Sequence, residues 1–328
     1  MNKHTYIICI IFCLVLGLWG CVQEDFPERN GLAEGEGWLY IPFNAVDNVD
    51  VHTKATLDYS YENTIRNIYV FIFDASGNKI YGNWLTVDNL LANETAVRGS
   101  SEDSWWVNNS STEGTPTTGG LKVKTSAGEG FKVYLMTNLD ADMVKVSSDL
   151  LAHNISNEQN LLDFKVYMNV ESVNRNGQFP MTGMIDNVNI TAGSTANMNN
   201  STSTVLKLKR LDAKIRFVFK KGERPDEKGQ KIDNFTGKQW RVINVPTTSY
   251  AIMRDEDSGN VLPTDIDYHS NASYFFDSPW RNFEDFSSNG DSGFSFYMLE
   301  NRQTPKNTSF TSYNDRSRQI KNSSGMNE

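Results

Sequence analysis

The sequence predicts an all-β protein built of β-sandwiches behind an N-terminal export signal. Two patterns predict it. Short runs of β-branched and aromatic residues, bounded by Gly, Asn, Asp and Ser turns, recur along most of the chain, and strands at that spacing point to sandwiches rather than to alternating strand–helix units. Apolar spacing suited to helices is confined to Asp140 to Ala152 and to Asn157 to Leu162, so few and short helices are expected.

At the N-terminus, Lys3 and His4 precede an apolar run from Tyr6 to Trp19. The run is shorter than the roughly 20 residues a spanning helix needs and matches a signal-peptide core, so residues 1–20 are expected to be removed. Leu18-Trp19-Gly20-Cys21 resembles the bacterial lipobox, in which a small residue precedes a cysteine that is acylated and becomes the new first residue; an ordinary secretory signal is the alternative. Cys21 is then the lipid anchor, since several acyl chains grip a membrane far more firmly than one. Val22-Gln23-Glu24-Asp25 resembles the surface-export signal of Bacteroidales lipoproteins. Residues 21–36, polar with Pro27, Gly31 and Gly35, read as a flexible tether.

Order is expected from Trp38, where Trp38-Leu-Tyr-Ile-Pro-Phe43 is a short apolar strand. Ile68-Tyr-Val-Phe-Ile-Phe73 has no polar alternation, so it reads as a strand buried on both faces. The turn Asp74-Ala-Ser-Gly77-Asn78 makes it a hairpin with Lys79-Ile-Tyr81. Residues 98–120, dominated by Ser, Gly, Thr and Asn, read as a long loop. That loop carries Trp105 and Trp106, candidate ligand contacts for sugar stacking or a partner, with the alternative that at least one folds back onto the domain.

Leu121-Lys-Val-Lys124 and Phe131-Lys-Val-Tyr-Leu-Met136 are the next strands. Val205 to Lys209 and Ala213 to Phe219 alternate apolar with basic residues, the period of strands with one solvated face. Arg241 to Val245, Ser249 to Met253 and Phe294 to Leu299 continue the β pattern, with a hairpin tip at Asp255-Glu-Asp-Ser-Gly259. The polar stretch from Arg302 onward carries no evident strand.

The composition excludes several functions. With 31 Lys+Arg against 40 Asp+Glu, a net charge of −9 argues against a nucleic-acid surface. All three cysteines, Cys9, Cys13 and Cys21, lie at the N-terminus, which leaves no disulfide framework, Cys-based zinc site or catalytic thiol downstream. His52, His153 and His269 have no ligand spacing. Nucleophile-elbow, phosphate-loop and zinc-protease motifs are absent. Asn-x-Ser/Thr triplets at Asn93, Asn154 and Asn189 reflect Asn-rich loops. The chain therefore reads as no enzyme, with no catalytic residue, metal or cofactor.

Several segments together resemble one family. Ile65 to Asn78, Phe131 to Asn138 followed by a helix, Phe179-Pro-Met-Thr-Gly183, Val205 to Phe219 and Val245-Pro-Thr-Thr-Ser-Tyr250 stand in the order of the blocks of the fimbrillins that form type V pili in Bacteroidales. The resemblance spans about residues 36–300 and implies two transthyretin-like β-sandwich domains, 37–200 and 201–328, the second possibly incomplete. It also implies a mechanism. A lipoprotein precursor reaches the outer-membrane surface, a trypsin-like protease cuts behind the first strand, and the vacated groove accepts a strand from another subunit. In this sequence the removable strand is Trp38 to Ala45 and the processing site is Lys54 and Ala55.

The implied partners are other fimbrial subunits, the outer membrane through the lipid, the surface protease, and a host or bacterial surface glycan or protein; nucleic acid is not among them. The implied location is the cell outer membrane, then the fimbrium after processing. The chain stops in Asn322-Ser-Ser-Gly-Met-Asn-Glu328 rather than in an extended donor strand, which implies a tip-like, accessory or truncated member. The rival reading is a cell-surface glycan-binding lipoprotein.

Overall fold

The computed structural model describes residues 32–46, 64–109, 115–139, 144–145, 155–168, 179–194, 204–219, 237–243, 245–252, 275–285 and 292–299. Their strands, in chain order, are β1 (Glu36–Val46), β2 (Ile68–Phe73), β3 (Lys79–Leu85), β4 (Ser104–Asn108), β5 (Thr118–Ser126), β6 (Gly128–Thr137), β7 (Val144–Lys145), β8 (Lys165–Met168), β9 (Met181–Ile190) and β10 (Leu206–Arg210). Then come β11 (Asp212–Phe219), β12 (Gln239–Trp240), β13 (Val245–Pro246), β14 (Thr248–Tyr250), β15 (Phe275–Phe276), β16 (Arg281–Asn282), β17 (Glu284–Asp285) and β18 (Ser292–Leu299). Two short helices, α1 (Glu94–Gly99) and α2 (Glu158–Leu162), and a 3-10 turn at Val87–Asn89 complete the described elements. The protein is all-β with few short helices.

One eight-stranded sheet, in the order β3-β2-β6-β9-β10-β1-β5-β4, dominates. Every pairing in it is antiparallel except β1 with β10, which run parallel. The sheet curls on itself: Ile68, Val70 and Ile72 of β2 share one core with Leu39, Ile41 and Phe43 of β1, Trp105 of β4 and Leu121 and Val123 of β5. Register shifts in the β6–β9 ladder help it bend. They fall around Gly130 (φ 69°) and Asn187 (φ 53°), and bulges of this kind sharpen strand curvature.

Period two makes β2 the hub. Its odd-facing residues Tyr69, Phe71 and Phe73 point into a second core with Leu161 of α2, Val166 of β8, Phe179, Leu211, Ala251, Ile252 and Tyr297 and Leu299 of β18. All six residues of β2 are buried, as its unbroken apolar sequence predicts. The hairpin turn is held by Asp74, whose carboxylate accepts from the backbone N–H of Ser76 and of Asn78 at 2.8 Å each.

A smaller sheet, β11-β18-β17, continues the chain. It packs Phe296 and partly buried Phe294 and Phe283 against Trp240 and Val245. The change of sheet falls at Leu211, because β10 still pairs with β1 and β9.

Several expectations are corrected. Within residues 98–120, Ser104–Asn108 is a strand and β5 already starts at Thr118. The Trp-Trp-Val centre of β4 has strong strand preference that its Ser- and Asn-rich surroundings hide. Val144–Lys145 pairs with β8 instead of forming helix, whereas Glu158–Leu162 is helical, capped by the Asn157 side chain. Asn93 is likewise the N-cap of α1. The end of the expected tether is packed, with Leu32 buried beside Trp38 and Tyr40. Arg241 to Ile243 lies between β12 and β13, outside any strand. The solvated part of β11 is apolar as well as basic: Phe217, Val218 and Phe219 are exposed.

Candidate functional site

β1 is the first described strand, yet it lies inside the large sheet. It pairs with β5 from Glu36 to Asn44 on one edge and with β10 from Phe43 to Val46 on the other. Pro42, which has no N–H to give, stands one residue before the β10 ladder begins. Backbone contacts extend the grip: Gly193 donates to the Glu36 carbonyl at 2.8 Å, Ala45 to the Thr117 carbonyl at 2.8 Å, and Ala127 to the Gly35 carbonyl at 2.8 Å.

Both faces of β1 are buried. Leu39, Ile41, Phe43 and Ala45 point into the curled sheet's core. Trp38 and Tyr40 point the other way, beneath α1, against Leu32 and Val97 with Leu91 and Trp106 partly buried beside them. Five large side chains, Trp38, Leu39, Tyr40, Ile41 and Phe43, are no more than 1% exposed. At about 1.5–3 kcal/mol for each large apolar side chain buried, the strand contributes on the order of 10 kcal/mol, comparable to a domain's whole net stability.

The outer face of β1 has polar definition. Tyr40 donates its hydroxyl to Glu94 at 3.0 Å and accepts from the Trp106 indole at 3.3 Å. The Arg98 guanidinium, paired with Glu94, lies 4.4 Å from the Tyr40 ring centre. Burial raises the Tyr40 phenol above its ordinary pKa, and the Glu94 carboxylate adds to the rise. Lys122 of β5, only 4% exposed, donates to the Arg98 carbonyl at 3.1 Å and to the Ser100 carbonyl, at the end of α1. Its ammonium sits 4.1 Å from the Trp38 ring centre, a cation–π contact in a dry site. Burial lowers the Lys122 pKa.

Three glycines shape the walls. A Cβ on Gly120 would run into the Tyr40 phenol, and one on Gly119 into the Phe43 ring. A Cβ on Gly37 would run into the Thr191 carbonyl. Each glycine therefore makes room for a specific neighbour, as a glycine inside a strand often does.

Of the sequence-predicted site residues, Cys21, Lys54 and Ala55 lie outside the described residues. Trp105 is fully buried and its indole donates to the Thr86 carbonyl at 2.7 Å, so it offers no face to a ligand. Trp106 is half-buried and serves Tyr40. The hairpin tip at residues 255–259 and the stretch from 302 also lie outside the described residues. Sequence reasoning missed Glu94, Arg98, Gly119, Gly120 and Lys122. The Gly-Gly pair next to an apolar-alternating segment was the one available signal. Among the described residues, no three His, Cys, Asp or Glu side chains gather as metal ligands would.

The fold defines the chain first as an all-β protein whose large sheet is completed by its own N-terminal strand. No protein-family model matches the chain, and no curated protein matches it in sequence. In structure it is similar to the tip fimbrial protein Mfa3 from Porphyromonas gingivalis with C-terminal truncation, at 13% identity and a TM-score of 0.47 over 80% of this chain and 68% of that one. It is also similar to a fimbrial assembly protein from Parabacteroides distasonis, at 15% identity and a TM-score of 0.41 over 81% of this chain and 78% of that one. A third likeness is to a fimbrilin from Porphyromonas gingivalis, at 14% identity and a TM-score of 0.39 over 67% and 52% of the two chains.

Proposed function

We propose that the chain is a surface lipoprotein precursor of a fimbrial subunit, of tip or accessory adhesin type, that assembles by protease-triggered β-strand exchange. The observation that supports it is the position of β1: the first described strand, joined in the chain to β2 through residues 47–67, fills a slot between β5 and β10 with both faces buried. The ordered sequence blocks that resemble fimbrillins support the same reading.

Withdrawing β1 from that slot would bare one ladder edge on β5 and one on β10, with an apolar floor between them. Such edges bind an extended strand through the backbone and select it by its alternate side chains. In this reading Cys21 carries the lipid, and cleavage after Lys54 separates β1 from β2 in the chain. Arg66 is a poorer site, because its backbone N–H is held by the Asn138 side chain at 3.0 Å. The cut does not by itself expel β1, which the sheet still holds with on the order of 10 kcal/mol of burial. A competing strand must make equivalent contacts as β1 leaves. The role is structural and adhesive, with a surface glycan or protein as the adhesion target, and not catalytic.

Limited trypsin treatment of the purified precursor tests this. A new N-terminus at Ala55 is expected, absent in Lys54→Ala, followed by capture of a second subunit. Cys21→Ala is expected to leave the membrane fraction. A chain that resists cutting between β1 and β2, or is cut and never captures a partner, would overturn the reading.

A further inference from the structure

The geometry points to a groove that accepts a strand of one particular chemistry: glycine, aromatic, any apolar residue, tyrosine, two further residues, then phenylalanine. This rests on β1 being exchangeable, and it specifies what can replace it.

The specification comes from a repeated diagonal contact across β1 and β5. Trp38 lies opposite Lys124 and Tyr40 opposite Lys122, yet each side chain leans one outward position along β5. Trp38 thus sits beneath the Lys122 ammonium, and the Tyr40 phenol fills the space over Gly120, where a Cβ would also come within 2.7 Å of the Trp106 indole nitrogen. On the inner face Phe43 lies opposite Gly119 and fills the space its missing side chain leaves. At the entrance, Gly37 passes the Thr191 carbonyl too closely for any larger residue.

Lys122, Gly119 and Gly120 of β5, Trp106 of β4, Glu94 of α1 and the Thr191 carbonyl belong to the walls and stay with the rest of the chain when β1 is withdrawn. Lys122 is then left with the carbonyls of Arg98 and Ser100 and an open face. A buried cation without its aromatic cover is costly, so an entering strand that offers only an aliphatic side chain at the Trp38 position does not restore the site. Glu94 and the Trp106 indole remain as an acceptor and a donor spaced for one hydroxyl. A leucine there would leave the half-buried Trp106 indole without its acceptor, while Glu94, its side chain 45% exposed, keeps Arg98 as a partner, so the rejection falls on the indole. By contrast, the ion pair of Glu36 with Lys124 at 3.7 Å is about a third exposed on each side, and surface pairs of that kind contribute little. The first residue of the strand is therefore not a determinant. Leu39, Ile41 and Ala45 meet only apolar walls and tolerate apolar replacement.

The test uses the full chain with a site-specific protease sequence placed within residues 47–63, cut while folded, then mixed with fluorescent peptides. The peptide Glu-Gly-Trp-Leu-Tyr-Ile-Pro-Phe-Asn-Ala-Val is expected to enter. Its Gly37→Ala, Trp38→Leu and Tyr40→Leu forms are expected to enter at least tenfold less, and its Leu39→Ile form nearly as well as the parent. Equal entry of the parent and the leucine forms would overturn this inference while leaving strand exchange intact. Failure of the parent peptide itself to enter would overturn both. Stability of the uncut chain gives an independent reading: Gly120→Ala is expected to lower the melting temperature, and Tyr40→Ala is expected to cost less in that background than alone. Additive losses would overturn the notch at Gly120.

Discussion

Asn138 shows how much one side chain can hold. It follows β6 with a left-handed backbone (φ 57°) and is only 1% exposed. Asn is among the few non-glycine residues that adopt this conformation readily. Its side-chain oxygen accepts from the Arg66 N–H at 3.0 Å, and its side-chain nitrogen donates to the Thr64 carbonyl at 2.8 Å and the Phe179 carbonyl at 2.9 Å. Its own N–H donates to the Asn67 side chain at 3.0 Å. One residue thus fixes the approach to β2 and the approach to β9. Asn138→Asp can still accept but cannot donate, and it turns a carboxylate toward two carbonyls. Asn138→Gly keeps the backbone angle and loses every side-chain bond. Both are expected to destabilise by about 2–4 kcal/mol, with Asp the worse at neutral pH. Denaturant unfolding of the two variants measures it, and a loss under 1 kcal/mol in both would contradict the hub role.

At the scale of elements, β4 separates what the sequence made legible from what it did not. Trp105 links this edge strand to the opposite end of the sheet: its ring lies in the shared core and its indole donates to the Thr86 carbonyl just after β3. Trp105→Ala is expected to cost about 3–5 kcal/mol, measured by chemical denaturation, whereas Trp106→Ala should cost less and loosen Tyr40. Comparable losses at the two positions would overturn that division. β2 was readable because six consecutive apolar residues admit no other placement. β4 was not, since its strand formers stand in a Ser- and Asn-rich setting and Trp105 is buried in a core built largely by β1 and β2, strands distant in sequence. β9 hid for another reason: the positive φ at Asn187 breaks the two-residue alternation in its second half. The groove was half legible. The apolar run of β1 announced a strand, but nothing local marks Lys122 as buried or Gly119 and Gly120 as recesses, because those roles come from how β5 packs against β1 and α1 rather than from the residues beside them.

For the whole molecule, the second core decides how the two sheets share stability. It joins Tyr69, Phe71 and Phe73 of β2 and Tyr134 and Met136 of β6 to Leu211 and to Tyr297 and Leu299 of β18. Phe179 and Tyr297 meet as tilted rings, 40° apart in plane and 4.9 Å between centres, so the join is close-packed. The smaller sheet has a modest core of its own at Trp240, Val245 and Phe296, but Phe217, Val218 and Phe219 of its strand β11 remain exposed, so it leans on the shared core. A sheet that depends on a shared core should not outlast it. Heating is therefore expected to give one cooperative transition, with calorimetric and van't Hoff enthalpies in agreement. Leu299→Ala, at a fully buried position of β18, is expected to lower that single transition by the equivalent of about 2–5 kcal/mol, including when unfolding is followed by a probe in the β2–β3 hairpin. Two resolved transitions, or a Leu299→Ala effect invisible to the hairpin probe, would mean that the core between the sheets carries no coupling. Coupling of this kind also bears on assembly, because β2 lends one face to the shared core and the other to the core that β1 completes. Loosening β18 should then ease the release of β1 in a cut chain, read as faster peptide entry into Leu299→Ala than into the parent protein.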